Sequence, residues 1–540
     1  MKILDCTLRD GGYYTGWDFA QTDAEKLILS LNKAGVDIIE IGYKSLTNNA
    51  FYGLFRYCHE NMLDFLSDNH DAEYAFMVDA KEFVKSGNEI CKCELDGIIK
   101  DKAQSCFDWV RIATYFSTME AMPALANYFS DKGYKVSLNL MGGSLITRDQ
   151  LLTALEIAKK CNLSAFYFSD SFGSFYPEDV IRHLRCIRQH YPGEVGLHLH
   201  DNQGLAYANG VAALAEGIDF IDATVMGMGR GAGNLATDQL MQFCKDKLGM
   251  ERYSPSQLLG IINNYIVPLK KKYNWGQSFA YMLSGLKNIH PTYCQELNDE
   301  NRYTMAQVHQ ILERIPDQNR NKFNRDVLNR AIKELLETPS GNHSLTPIPK
   351  YSLVQHDKVL IAATGPSTMK YKPALLKLIK LKDLFLLECN DTGLFDEIEQ
   401  KIIVILNEIR LQRYVSQQNG KQRRQIVITG VGALPEYLIF DGLRHFPYEL
   451  GAFDVSSGQV TIPDYDVGMY SVTLAILSGA KEIYLAGFDG FDEPEKNEPM
   501  ERFFKQACEA CEKNNIRIVA VTPTVYANLP RSSVYGWLQS

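Results

Sequence analysis

Two histidines separated by one residue, His198-Leu199-His200, and an aspartate, Asp10, next to Arg9 are the residues of this sequence best suited to hold a cation. Side chains on a strand alternate faces with period two, so His198 and His200 point one way and Leu199 the other. Two imidazoles and a carboxylate make an N2O ligand set that leaves positions for substrate and water, and it suits Mn2+, Zn2+ or Fe2+. Thr7-Leu8-Arg9-Asp10-Gly11-Gly12-Tyr13 reads as the end of an opening strand, where an arginine, an aspartate and two glycines make an anion site beside a cation. Glu40 closes a second apolar run and Arg111 lies in a fourth; each is placed either to meet a substrate or to pair within the interior.

These residues need elements to position them. Eight apolar runs of strand length begin near Lys2, Val36, Glu73, Trp109, Lys135, Ala165, Val195 and Phe220, with helical patterns such as 22–34 and 177–190 in the gaps. That alternation, over about 250 residues, predicts a TIM (β/α)8 barrel in residues 1–250 with its chemistry at the C-terminal strand ends. A doubly wound sheet is the alternative, because counting strands does not establish closure. Residues 251–337 turn helical and are expected to complete the active site. The Pro-, Gly- and Ser-rich stretch 338–349 is the expected linker. Residues 350–540 carry a second α/β rhythm, with runs beginning at Lys358, Leu384, Gln425, Ile483 and Ile516, and are read as an open parallel sheet.

Composition bounds the function. The chain has 540 residues, 46% hydrophobic and 22% charged, the balance of a soluble protein with about two to four domains. A net charge of −9 argues against nucleic acid as a partner, and Lys270-Lys271-Lys272 reads as solvated helix surface. No run approaches the roughly 18 to 20 apolar residues needed to span a bilayer. The chain opens directly on a strand-like Met1-Lys2-Ile3-Leu4-Asp5, and its twelve cysteines lack zinc-site spacing. A cytoplasmic protein with reduced thiols is expected, with Cys508 and Cys511 serving in ordinary packing.

Three segments in order, Thr7-Leu8-Arg9-Asp10-Gly11, His198-Leu199-His200-Asp201-Asn202 and Gly227-Met228-Gly229-Arg230-Gly231-Ala232-Gly233-Asn234, resemble the motifs of the DRE-TIM metallolyase superfamily. That group holds hydroxymethylglutaryl-CoA lyase, isopropylmalate and homocitrate synthases and 4-hydroxy-2-oxovalerate aldolase, and the likeness covers roughly residues 1–296. It implies that Asp10, His198 and His200 bind the divalent metal, Mn2+ first with Mg2+, Zn2+ or Co2+ as alternatives, and that Arg9 steadies an enolate. Asn234 is an additional ligand in some relatives. Asp170-Ser171, ending the sixth strand, resembles the family's Asp-Thr and is expected at the substrate. The glycine-rich loop reads equally as a phosphate cradle or as close packing over the metal.

The nearest likeness is to the aldolase branch, since acyl-CoA synthases usually carry Gln after Arg-Asp-Gly and this chain has Gly12-Tyr13. The aldolase has a histidine four residues beyond the arginine and a tyrosine in the later helical segment. Here the types are exchanged: Tyr13 lies four beyond Arg9, and His290 falls near the tyrosine's place. The expectation is that Tyr13 and His290 share the proton transfer at the substrate hydroxyl. The expected partners are a small 2-oxo acid, pyruvate as its enolate, and an aldehyde, in a homo-oligomer. The alternatives are a Claisen-type acyl-CoA-dependent synthase and a non-catalytic scaffold.

The second half resembles Rossmann-like domains of bacterial sialyltransferase-type and pyrophosphokinase-type proteins. Gly365-Pro366-Ser367, between a strand and a helix, would then bring backbone amides to a nucleotide or nucleotide sugar. In that case the aldolase would make or trim an oxo-acid unit for surface polysaccharide.

Overall fold

A computed structural model of the chain describes residues 1–48, 50–66, 71–85, 88–299, 303–336, 343–344, 356–417, 425–430, 433–434, 436–491 and 494–538. Eight parallel strands, β1 (Lys2–Asp5), β2 (Ile38–Tyr43), β3 (Glu73–Asp79), β4 (Trp109–Thr114), β5 (Lys135–Leu140), β6 (Ala165–Asp170), β7 (Val195–Leu199) and β8 (Phe220–Ala223), close into a barrel. Closure is direct, because β8 pairs with β7 on one side and with β1 on the other. The strands are buried on both faces, which is why they read as near-continuous apolar runs.

One boundary differs from the sequence reading. The opening strand ends at Asp5, and Thr7–Asp10 wind into a helical turn. The Asp5 carboxylate accepts the Thr7 N–H at 2.9 Å, and the N–H groups of Asp10 and Gly11 bond back to the carbonyls of Cys6 and Thr7. Arg9 and Asp10 therefore project from a turn capping the barrel mouth, not from the strand itself.

Strand alternation sorts the barrel interior into layers. Leu4, Cys6, Ile38, Ala75, Trp109, Ala165, Tyr167 and Phe220 form an apolar cluster inside the barrel, with the Trp109 and Phe220 rings edge to face at 5.6 Å. Two residues further along three of these strands, the same inward face carries Glu40 on β2, Arg111 on β4 and Asp222 on β8. The Arg111 guanidinium lies 4.6 Å from the centroid of the Tyr167 ring, joining the two layers. Outward-facing residues such as Ile39, Ile41, Val110 and Ile112 pack in a separate core with the surrounding helices. Helix 177–190 is typical: Pro177 starts it, and Val180, Leu184 and Ile187 bury one stripe.

Helices continue through 259–336, among them Val267–Tyr273, Phe279–Leu286 and Pro291–Asp299. Lys271 and Lys272 are exposed in the last turn of Val267–Tyr273, and Lys270 is half-buried. The chain divides into two compact units, Met1–Glu296 with Val308–Leu328, and Leu297–Gln307 with Asn329–Ser540. The expected linker at 338–349 lies outside the described residues except for the strand residues His343–Ser344.

The second unit is built on a seven-stranded parallel sheet, in the order Leu443–His445, Ile426–Thr429, Lys401–Val404, Phe385–Cys389, Lys358–Ala362, Glu482–Ala486, Arg517–Ala520. Lys401–Val404 and Leu443–His445 were not foreseen in the sequence. Both are short, and the first opens on a lysine, which sits buried in the sheet because Glu388 takes its charge at 2.6 Å. All twelve cysteines are free thiols, with Cys511 buried and Cys508 half-buried on the helix Pro494–Lys513. Among the described residues, no helix is long and apolar enough to cross a membrane.

Candidate metal centre at the barrel mouth

The candidate ligands meet where the turn after β1, the end of β7 and the loop after β8 converge. Ligand atoms of Asp10, His198 and His200 all lie within 4.8 Å of one another, and the three side chains are buried. Asp10 Oδ1 accepts a hydrogen bond from Arg9 Nη1 at 2.8 Å. Its Oδ2 accepts one from Asn234 Nδ2 and stands 3.8 Å from His198 Nε2. His198 Nδ1 lies 3.0 Å from Asp222 Oδ2, so the proton belongs on Nδ1 and Nε2 keeps its lone pair for a cation. The His200 ring stands 5.0 Å from that of His198, nearly perpendicular to it.

Two observations test whether a cation fits. His200 Nδ1 and Asn234 Oδ1 are both buried without a hydrogen-bond partner among the described residues, a state that costs about 1–3 kcal/mol per group unless something else satisfies it. The protonation states also suit a ligand set. Burial alone would raise the Asp10 carboxyl, but the Arg9 guanidinium, then the two imidazoles and the Asn234 amide, hold it well below the usual carboxylate range. Burial drives His200 down to about 3, with Asp10 only partly opposing, so its imidazole is neutral at neutral pH. Cys6, His198 and Asp222 also cluster, but that group fits poorly. The Cys6 thiol donates to the Ala223 carbonyl, burial pushes it far above its normal value, and Asp222 already engages His198 Nδ1.

Beneath the candidate ligands lies a buried lattice of charge. Glu40 Oε2 accepts both Arg9 Nε and Arg111 Nη1 at 2.9 Å, and Arg111 Nη2 donates to Asp222 Oδ2 at 2.6 Å. Glu40 and Arg111 are wholly buried, paired with each other beneath Arg9. Asp170 and Ser171 brace neighbouring loops: Asp170 accepts the N–H groups of Ser174 and Phe175, and Ser171 Oγ accepts that of Gly142.

Tyr13 and His290 meet through a third residue. The Tyr13 hydroxyl is 3.2 Å from that of Tyr43, and the Arg230 guanidinium lies 5.4 Å from the Tyr13 ring centroid and 3.5 Å from His290 Nε2. Burial and the charge of Arg230 hold His290 down to about 3. The glycine-rich loop is stapled inward: Asn234 N–H donates to the Gly227 carbonyl, Ala232 N–H to Asn202 Oδ1, and the Gly233 carbonyl accepts from Asp201 N–H. Gly233 has φ +97°, and a Cβ there would collide with the Gly227 carbonyl oxygen, so close packing shapes this loop.

In the second unit, Gly365, Pro366 and Ser367 follow the strand Lys358–Ala362, where the order of the sheet reverses direction. The Ser367 amide donates to Asp489 Oδ2 at 2.7 Å, so a carboxylate of the same unit already occupies it.

Two residues of the mouth escaped the sequence reading. Asp222 is a lone acid in the apolar run Phe220-Ile221-Asp222-Ala223, and that isolation was the available signal. Arg230 is the single charged residue between the glycines of its loop.

The family described as HMGL-like matches residues 1–252. The first 252 residues are HMGL-like. The oxaloacetate decarboxylase of Mycobacterium tuberculosis is 29% identical to this chain over 248 residues, which are 44% of this chain and 68% of that protein. The 4-hydroxy-2-oxovalerate aldolase of Chloroflexus aggregans is 27% identical over 256 residues, 46% of this chain and 70% of that protein. Among solved structures, the N-terminal domain of a candidate aldolase from Bacteroides vulgatus is 33% identical, with a TM-score of 0.49, covering 57% of this chain and 98% of its own. The family expectation from the three motifs therefore holds for the HMGL-like barrel.

Two measurements check the electrostatics of the HMGL-like site. Replacing Asp222→Asn exchanges the carboxylate that holds the His198 Nδ1 proton for a neutral, weaker acceptor, so Mn2+ affinity measured by calorimetry should fall about 10- to 100-fold; an unchanged affinity would detach His198 from the ion. His290 sets a pH dependence. With its folded value depressed to about 3 from the ordinary 6.5, the unfolded chain takes up a proton that the folded chain refuses between those values, so stability falls as pH drops through that window. Asp170, pushed up to about 7, works in the opposite direction. The comparison is therefore between wild type and His290→Gln, whose melting temperature should decline less from pH 7 to pH 5; parallel curves would show that His290 titrates normally.

Proposed function

We propose that the barrel is a divalent-metal-dependent aldolase that cleaves or forms a 4-hydroxy-2-oxo acid, with pyruvate as the enolate half. The observation that carries this reading is the convergence of Asp10, His198 and His200 within 4.8 Å, beside Arg9, at the mouth of a closed barrel. The named relatives support it. Cleaving 4-hydroxy-2-oxovalerate and decarboxylating oxaloacetate both break a bond so as to leave an electron pair on the carbon next to a 2-oxo group.

Asp10, His198 through Nε2, and His200 would hold the cation, with Asn234 Oδ1 as a further donor. When bound, a divalent ion such as Mn2+, or Mg2+, Zn2+ or Co2+, supplies a Lewis acid that draws negative charge from the oxo acid's carbonyl and carboxylate. Arg9 is fixed through Nε on Glu40 and Nη1 on Asp10, which leaves Nη2 unclaimed among the described residues and available to the enolate oxygen. In cleavage, the C4 hydroxyl gives up its proton and the C3–C4 bond breaks. Its electron pair passes to C3 and the carbonyl, the aldehyde leaves, and C3 is reprotonated to give pyruvate. Tyr13 and His290 share these proton movements. Asp170 and Ser171 act from behind, holding the loops that wall the site, and the lattice of Glu40 and Arg111 keeps Arg9 in place.

The purified chain loaded with Mn2+ should release pyruvate from 4-hydroxy-2-oxo acids, and chelation should abolish the release. Tyr13→Phe and His290→Gln should each lower turnover by about 10² to 10⁴ while metal content stays at the wild-type level. Thiol release from acetyl-CoA with a 2-oxo acid, in place of pyruvate release, would replace this reading with a Claisen-type synthase.

We also propose that residues 350–540 form a Rossmann-like nucleotide- or nucleotide-sugar-binding domain, with Gly365, Pro366 and Ser367 at the reversal point of the sheet. A phosphate there must displace the Asp489 carboxylate from the Ser367 amide. Calorimetric titration of the full chain with nucleotides and nucleotide sugars should give saturable heat that Asp489→Asn strengthens. A flat response across the panel would leave a packing domain.

A further inference from the structure

Arg230 has no role in the reaction as derived so far, yet its surroundings are those of a cation awaiting a partner. The loop that bears it crosses the mouth so closely that a Cβ at Gly229 would press on Asp10 Oδ2 and the Asn234 amide. On its other side the Gly231 carbonyl is anchored by the Tyr14 hydroxyl at 2.6 Å. The guanidinium sits between Tyr13 and His290, near enough to His200 for its charge to act on that ring.

The other arginines near the mouth have their charge matched: Arg9 by Glu40 and Asp10, Arg111 by Glu40 and Asp222, Arg56 by Glu82. Arg230 makes no ion pair among the described residues; its Nε is buried without a hydrogen-bond partner, as are those of Arg56 and Arg111, but they have carboxylates on their other nitrogens and Arg230 has none. Its contact with His290 does not replace one. A neutral imidazole has a single acceptor nitrogen, and two donors approach this ring, Arg230 Nη1 at 3.5 Å and the Thr292 N–H at 3.4 Å. If Nδ1 accepts from Thr292, Nε2 points its own proton at the guanidinium. A half-buried guanidinium without an acceptor is costly, so its counter-charge is expected to come with the ligand.

The inner charges say where that ligand charge must lie. The three carboxylates Asp10, Glu40 and Asp222 exceed the two guanidiniums Arg9 and Arg111 by one negative charge. A divalent cation and the single carboxylate of a 2-oxo acid bring this inner set to neutrality, and Arg230 remains unmatched above it.

We infer that the substrate carries a second anionic group, a carboxylate or a phosphoester on its aldehyde-derived half, and that Arg230 is the specificity-determining residue that holds it. This rests on the aldolase reading for the half of the substrate that bears the charge. An anion on Arg230 offsets the lesser of the two influences that hold His290 low, burial being the larger. The same placement disfavours simple decarboxylation. A carboxylate that departs as CO2 loses its charge in the transition state, so a guanidinium gripping it stabilises the starting state instead. A charge on the aldehyde half is retained throughout.

The test uses the full chain loaded with Mn2+. Calorimetry compares 2-oxoglutarate with 2-oxopentanoate, which share a chain length and differ at the terminal group, in wild type, Arg230→Gln and Arg230→Lys. Wild type should bind 2-oxoglutarate about 20-fold or more tightly than 2-oxopentanoate, Arg230→Gln should bring the ratio to within about threefold, and Arg230→Lys should keep part of it. A parallel arm condenses pyruvate with propanal, succinic semialdehyde or glyceraldehyde 3-phosphate. It should show the two charged aldehydes favoured in wild type, and the better of them names the anion. An Arg230-dependent binding preference without any condensation would remove the aldolase reading and keep the dianionic ligand. Condensation with no preference for charged aldehydes, or equal binding ratios in wild type and Arg230→Gln, would overturn this inference and leave the aldolase reading in place. Binding of neither oxo acid to metal-loaded protein would overturn it as well.

Discussion

Glu40 Oε2 is the pivot of the barrel. One carboxylate oxygen accepts from both Arg9 and Arg111, and through them it reaches Asp10 on one side and Asp222 on the other. All of these groups are buried, and taking an ion out of water costs several kcal/mol, so each is tolerable only while its partners stay in place. The lattice therefore over-determines three things that chemistry at the mouth requires: the direction of the Arg9 guanidinium, the ionised state of Asp10, and, through Asp222, the tautomer of His198. Its surplus of one negative charge is also what makes a dication welcome at a depth where a lone carboxylate would otherwise pick up a proton.

The lattice follows from strand alternation. Trp109 and Arg111, Ile38 and Glu40, and Phe220 and Asp222 each lie two residues apart on a strand and so share the inward face. Parallel registry sets the first member of each pair in an apolar layer and the second one step nearer the C-terminal ends. Hydrocarbon thus gives way to ion pairs and then to the candidate ligands in successive layers, with the Tyr167 ring supporting the Arg111 guanidinium at the boundary. Loops complete the arrangement. The turn at Thr7–Asp10 carries Arg9 and Asp10 over the mouth, and the glycine-rich loop brings Asn234 and Arg230 to it.

Much of this could be read from the chain alone, because the informative features were local. The eight strands announce themselves as apolar runs at regular spacing, and His198 and His200 declare a shared face by being two apart. The turn at Thr7–Asp10 was hidden because its apolar start, Thr7-Leu8, continues the strand pattern; what ends the strand is the Asp5 carboxylate folding onto the Thr7 amide, an interaction no periodicity records. The role of Asp222 was hidden for a related reason. Its partners Arg111 and His198 are 111 and 24 residues away, and only closure of the barrel brings the three together. Lys401–Val404 was missed because its first residue is charged, and the glutamate that permits this lies on the neighbouring strand.

The layer of Trp109, Tyr167 and Phe220 beneath the ions has a consequence for traffic. Edge-packed and tilted rings with branched side chains fill the interior from below, which closes that end of the barrel. On the aldolase reading, entry and exit then share one doorway, and whichever fragment settles deeper must queue behind the shallower one on the way out. The order in which products would depart is in this sense built into the masonry of the barrel.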